Sequence, residues 1–334
     1  MSKPVTEPSG AGLQPYDPDE VRAYTEEVLA KVRRPAAIPA GFDALRAPDD
    51  ELISYGLPPR PDRDVMPRHF AKWERALSQP VHSAAPEFSI TGVVHVPVAQ
   101  LTEDNTNSST WSGAVVQSPP PGETFKTVSA RWIVPNTWPP PSAWNGNGWN
   151  DGTYHCSTWV GIDGWNGIPE LLQGGTASQV VVSGGQISSR SCYAWYEWWP
   201  AGEIAFSGFT VIPGDLVNCL VCAPNDNTHG YVSILNESSR QTAHAPLTAP
   251  GTASLAGTTA EWITEDPSNS KKQTYPMPDY GAAFFYDALA GSKTQERDIS
   301  NAVLVNMVSG GSTLSAAAEE NQSALLTYYG NQGP

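Results

Sequence analysis

From about Phe88 onward the chain is written in short runs of alternating apolar and polar residues, each closed by Gly, Pro, Asn or Asp. This texture constrains the fold more than any other feature, because alternation at period two turns one face of a strand inward and the other outward. The run TFKTVSARWIVP places Val128, Ala130, Trp132 and Val134 on one face. YAWYEWWP places Tyr193, Trp195, Glu197 and Trp199 on one face, with Ala194, Tyr196 and Trp198 on the other. LVNCLVCA, GYVSIL, AEWITED, AAFFYDAL and NAVLVNMV read as further strands. With 31 Pro and 29 Gly among 334 residues, turns are many and long helices few. The expectation is an all-β unit: a two-sheet antiparallel β-sandwich of the concanavalin-like or jelly-roll type, without a fixed-period repeat. The Trp-, Gly- and Pro-rich stretch PNTWPPPSAWNGNGWNDGTY is expected to be a surface insertion near one rim.

The N-terminal part has a different pattern. Val21, Tyr24, Val28 and Val32 recur at helical spacing between Asp17 and Arg34, with Asp17 or Asp19 available as a cap. A short helix fits Asp49 to Tyr55, stopped by GLPPRPD. A third fits Pro67 to Leu77, with Pro at its start and Phe70, Trp73 and Leu77 on one face. Residues 1–90 are therefore expected to form a small α-helical or irregular appendage, disordered over 1–17, and residues 91–334 the β-sandwich. The first twenty residues contain no apolar signal core.

Lys plus Arg number 19 against 34 Asp plus Glu, a net charge of −15. A nucleic-acid partner needs a positive field to neutralise phosphates, so that class is excluded. No run reaches the roughly 18 apolar residues of a membrane span. Residues 96–334 hold only 8 of the basic residues and 20 of the acidic ones. A Lys-poor surface of this kind gains little net positive charge in acid, although an ordinary acidic surface has the same composition. Cys219 and Cys222 form a C-x-x-C inside an apolar strand, where residues three apart face opposite ways and cannot share a metal. Plain buried cysteines are expected, with a Cys156–Cys192 disulfide left open. Sequons stand at Asn107, Asn236 and Asn321, and would accept glycan only in a eukaryotic secretory pathway.

The chain has no H-E-x-x-H, no G-x-S-x-G and no phosphate-cradling Gly-Lys loop. Its six histidines (69, 82, 95, 155, 229 and 244) stand alone in the sequence. Serine, cysteine and zinc hydrolases are disfavoured, and neither metal nor cofactor is expected. Carboxylates set among aromatics remain. Alternation along AEWITED groups Glu261, Ile263 and Glu265, and Glu197 is flanked on its own face by Trp195 and Trp199. Aromatic walls desolvate a carboxylate, raise its pKa, and suit it to general acid or base work in mild acid. A hydrogen-bonded carboxylate bracing the sheet is the alternative for each.

TWSGAVV (110–116), STWVGIDG (157–164), LLQGG (171–175), YAWYEWWP (193–200), PGD (213–215) and AEWITED (260–266) occur in an order that resembles the glutamic peptidases, or eqolisins. The resemblance spans about Trp111 to Asp287 and implies a monomeric acid endopeptidase on a two-sheet sandwich, acting on protein or peptide substrates. It implies a catalytic dyad of Gln173 and Glu265, with Trp111, Trp159, Asp163 and Glu197 lining or bracing the cleft. It also suggests an extracellular destination, and a propeptide or a permanent accessory role for the N-terminal segment. Thr264 before the Glu, Gly174-Gly175 after the Gln and Thr110 before the Trp depart from the common pattern. Two other readings of a Trp-lined sandwich stay open: a glycosidase, with a second carboxylate facing Glu265, and a lectin-like binding module.

Overall fold

The computed structural model describes residues 16–84, 87–98 and 107–330. Three helices come first: α1 (Pro18–Lys31), α2 (Asp49–Ser54) and α3 (Pro67–Leu77). Four short strands follow: β1 (His82–Ser83), β2 (Glu87–Ile90), β3 (Val93–Val94) and β4 (Asn107–Ser108). Next are β5 (Trp111–Gln117), β6 (Thr127–Ile133), β7 (Gly152–Asp163), β8 (Leu171–Ser183), β9 (Gln186–Trp199) and β10 (Ile204–Ser207). Then come β11 (Leu216–Cys222), β12 (His229–Asn236), β13 (Gln241–Thr248), β14 (Thr259–Glu265) and β15 (Ser268–Asn269). The last are β16 (Ala282–Gly291), β17 (Glu296–Asp298), β18 (Val303–Ser309), β19 (Ser312–Asn321) and β20 (Ala324–Tyr329). The chain is thus mostly β, as the alternating runs require, and all seven runs named above fall on strands.

Pairing forms one path. It starts at β1–β13–β12–β11–β6–β16–β20–β19–β18 and continues β5–β14–β7–β8–β9–β10–β2. Along this path the β1–β13 pair is parallel and the others antiparallel. The two halves meet face to face. Trp132 of β6 donates its indole N–H to Thr176 Oγ1 of β8 (2.9 Å), and Trp262 of β14 donates to the Ser129 carbonyl of β6 (3.1 Å). Between them lies the main core, which includes Ala194, Tyr196 and Trp198 of β9 and Val217, Cys219 and Val221 of β11. The opposite face of β9 sends Trp195 and Trp199 into a separate cluster with Trp111, Trp159 and Trp165. Alternation therefore explains why one strand needs so many indoles: each face packs against a different layer.

The appendage follows its sequence signals closely. Asp17 caps α1 by accepting from Asp19 N (2.9 Å), and α1 stops at Lys31, earlier than expected, because Arg34 precedes a proline and is biased toward extended backbone. Helix α3 spans Pro67–Leu77 as read, burying Trp73 and Leu77. It docks on β17, where Arg68 and His69 both bind Glu296 (2.7 and 2.8 Å) and Arg68 also binds Asp298 (2.7 Å). Burial tends to raise the Glu296 pKa, but hydrogen bonds from His69 and Arg68 win and hold it down at about 2. A carboxylate with a depressed folded pKa stabilises above its ordinary value and loses that contribution as pH falls. Chemical denaturation of wild type and Glu296→Gln should therefore differ most above about pH 4.5, with the gap closing toward pH 2.

The structure decides two readings that the sequence left open. All four cysteines are free. Cys156 and Cys192 both align with Ser178, one on each side of it, so they sit two strands apart. Strand spacing makes that about 9–10 Å, beyond the reach of a disulfide. Asn236 cannot take glycan in the folded chain: it is buried, its amide donates to the Thr210 carbonyl and Asp215, and its oxygen accepts from Ser238 and Ser239. The expected disorder of residues 1–17 lies largely outside the described residues. The Trp-rich insertion is peripheral, with Trp138 and Trp144 exposed.

Candidate active site

Glu265 ends β14, paired with Trp111 of β5 on one side and Ser157 of β7 on the other. Gln173 lies on β8, opposite Glu197 of β9. Counting by twos along the paired strands places Gln173, Glu197, Trp159, Trp195, Trp111 and Glu265 on one face of this half of the sheet. All six are buried. Gly175 makes room for this arrangement: a Cβ there would stand 2.2 Å from the Thr158 carbonyl oxygen and 2.6 Å from Trp159 Cβ. The bare backbone lets the Trp159 indole lie against β8 and reach Glu265, donating its N–H to Oε2 (2.7 Å). Trp111 packs edge-on against Trp159 (4.9 Å between centroids) and stacks on Trp165.

Gln173 donates to Glu197 Oε1 (3.0 Å), which leaves its own Oε1 buried without a partner among the described residues. Burial raises the Glu197 pKa well above its ordinary value. The flanking Trp195 and Trp199 predicted that direction.

Asp163 is not brought into the cluster. Its backbone is left-handed (φ 69°), which breaks the alternation at the end of β7. The carboxylate instead accepts from Gly257 N (2.7 Å) and Thr258 N (2.8 Å), bracing the turn before β14.

Two groups at the centre were missed by sequence reasoning. His95, counted above as isolated, has Nδ1 2.7 Å from Glu265 Oε2 and Nε2 2.9 Å from Glu203 Oε2, and is fully buried. Its ring stacks on Trp195 (4.0 Å, 5°), and its backbone N–H donates to Glu197 Oε2 (3.3 Å). Glu203 accepts in addition from the Tyr193 hydroxyl (2.9 Å). Burial alone would lower the His95 pKa, but the Glu265 charge and the hydrogen bonds that the ring donates to Glu203 and Glu265 hold it up at about 10. Burial would raise that of Glu203, but the His95 hydrogen bond and charge bring it below its ordinary value. His95 is therefore an imidazolium bridging two carboxylates. No local pattern announces it, because its partners lie 108 and 170 residues away.

An amide and several carboxylates thus stand on one face of a mostly-β chain, walled by indoles. The model of the Peptidase A4 family matches residues 109–328. Aspergillopepsin-2 of Aspergillus niger is 29% identical over 236 residues, 68% of this chain and 80% of that protein. Scytalidopepsin B of Scytalidium lignicola is 32% identical over 176 residues, 52% of this chain and 58% of that protein. The fold is similar to a crystal structure of scytalido-glutamic peptidase with a transition state analog inhibitor, with a TM-score of 0.55, 24% identity, 66% of this chain and 98% of that chain covered. The chain belongs to the Peptidase A4 family, the glutamic peptidases, and is a glutamic-type endopeptidase. That membership takes the place of the carbohydrate-active alternatives.

Proposed function

We propose that this protein cleaves unfolded polypeptides in acid, as a monomer, through a water molecule shared by Gln173 and Glu265. The observation that carries the reading is the Gln173 amide. Its Oε1 is buried with no hydrogen-bond partner among the described residues, and a buried acceptor is stabilised by a donor. A substrate water supplies one, while the second amide N–H stays available to the developing oxyanion. Glu265 takes a proton from the water as it attacks the scissile carbonyl and returns it to the departing amine. Glu197 holds the amide in place, and the Trp159 N–H fixes the Glu265 carboxyl. The two halves of the strand path are, in the same reading, the two sheets of a jelly-roll sandwich, with the cleft on the outer face of the β14–β7–β8–β9 half.

Trp159→Phe removes one hydrogen bond to a charged group and keeps the aromatic wall. A fall in kcat/KM of about tenfold to hundredfold is expected, since such bonds contribute about 1.5–3 kcal/mol. Wild-type turnover would show that Glu265 does not depend on the indole. The test of the reading itself is cleavage of an unfolded protein between pH 2 and 7 by wild type and by Gln173→Ala, with unfolding curves to confirm that both are folded.

A further inference from the structure

A cavity of about 320 Å³ lies between the helical appendage and the half of the strand path that does not carry Gln173 and Glu265. One wall is α3 with residues 57–62 before it, and the other is the outer face of β6, β11, β12 and β13. Alternation builds the second wall. Val128, Ala130, Cys219 and Val221 turn into the core, so Ser129, Leu220, Cys222 and Tyr231 face the appendage. The lining is mostly apolar, with Leu57, Met66, Trp73, Leu77 and Leu220 contributing to it. Its volume falls at the lower end of the range of small-molecule sites, roughly 300–1,000 Å³.

Two basic side chains, one turn apart on α3, line this apolar space. Lys72 is buried, and its ammonium donates to neutral groups, the Ser129 hydroxyl and the Asp287 carbonyl (3.5 Å). The Asp287 carboxylate is itself held by Arg75 (2.5 Å) and Arg131 (3.4 Å). His69 is buried too. Its Nδ1 lies 2.8 Å from the ionised Glu296 carboxylate, so that nitrogen carries the ring proton. Nε2 is then an acceptor, and it has no hydrogen-bond partner among the described residues. The other charged groups of the lining are engaged locally. Asp49 accepts from Arg60 N (3.1 Å), Asp62 from Asp64 N (2.9 Å), and the Arg60 guanidinium donates to the Leu45 and Ala47 carbonyls (2.8 and 3.1 Å).

A buried cation without an anion and a buried acceptor without a donor are both unfavourable, and here they share one cavity. A carboxylic acid relieves the two together. One of its oxygens accepts from the Lys72 ammonium, and its acid proton is donated to His69 Nε2, while the hydrocarbon tail fills the apolar wall.

We propose that this cavity binds an apolar monocarboxylic acid of medium chain length, with its carboxyl group on Lys72 and His69 and its tail between the appendage and the sheet. The proposal is independent of the Gln173/Glu265 reading. The occupant would touch both walls, so it would stabilise the docked appendage by mass action.

The charge on Lys72 makes this binding depend on pH. Burial, opposed in part by the Asp287 charge on β16, brings the Lys72 pKa down to about 7. Cys219 on β11 acts in the same direction as Asp287, and Arg131 on β6, Arg75 and His69 act with burial. The free site therefore loses its cation as pH rises above about 7, and the acid loses its proton in the same direction.

The experiment titrates full-length wild type, Lys72→Met and Ala76→Met with octanoate and with 1-octanol by calorimetry, at pH 6 and pH 8. Lys72→Met keeps an apolar stem and removes the charge. Ala76→Met fills the cavity from α3 and leaves both basic groups in place. Unfolding curves confirm that each protein is folded. Wild type at pH 6 should bind one octanoate per chain, at least about tenfold tighter than octanol, and should unfold at a higher temperature when it is present. Raising the pH to 8 should weaken that binding about tenfold. Lys72→Met should bind octanoate at least about tenfold more weakly and lose the preference over octanol, and Ala76→Met should bind neither. No saturable binding of octanoate by wild type would overturn the proposal. Equal affinity for octanoate and octanol, unchanged affinity at pH 8, or wild-type affinity in Lys72→Met would do the same.

Discussion

Glu265→Gln should lower kcat/KM for an unfolded polypeptide by about 10³-fold or more, measured in acid. The replacement is nearly isosteric, and its amide oxygen still accepts from Trp159. What it loses is the ability to take a proton from water and hand it to the leaving amine. Glu265 also pairs with the buried His95, so the variant should unfold at a lower denaturant concentration than wild type, and turnover is compared where unfolding curves show both proteins folded. Activity within a few-fold of wild type would remove Glu265 from the proton path.

Trp132→Ala should cost about 3–5 kcal/mol of stability, the range for truncating a buried large aromatic. Trp132 is fully buried, packs against Phe285 and hydrogen-bonds across the core to Thr176. Its loss leaves a cavity where the two halves meet, and leaves the Thr176 hydroxyl without its indole donor. Urea unfolding with an unchanged slope and a lower midpoint is the expected signature. A midpoint within measurement error of wild type would show that the halves do not depend on this contact.

Much of this was written locally in the sequence. Alternation in YAWYEWWP separated Trp195, Glu197 and Trp199 from Ala194, Tyr196 and Trp198, and the structure sends those sets to different packing layers. Asp17 and Pro67 marked the starts of α1 and α3 because capping and proline preferences act within a turn. Glu197 could be read as a carboxyl with a raised pKa because its walls are its own neighbours along β9. Asp163 could not be placed, since one left-handed residue reversed its side chain. The Cys156–Cys192 separation depended on a third strand lying between two others. His95 and Glu203 stayed hidden for the same reason. A histidine between two valines reads as surface or core until the strand path carries it to partners far along the chain.

A double-mutant cycle tests the pairing of Gln173 with Glu265 most directly: kcat/KM of wild type, Gln173→Ala, Glu265→Gln and the double variant, in acid. Groups that act as one unit on one water lose nearly everything when either is removed, so the double variant should be no slower than the slower single one. Losses that simply add, or a Gln173→Ala enzyme with wild-type turnover, would contradict the shared-water assignment.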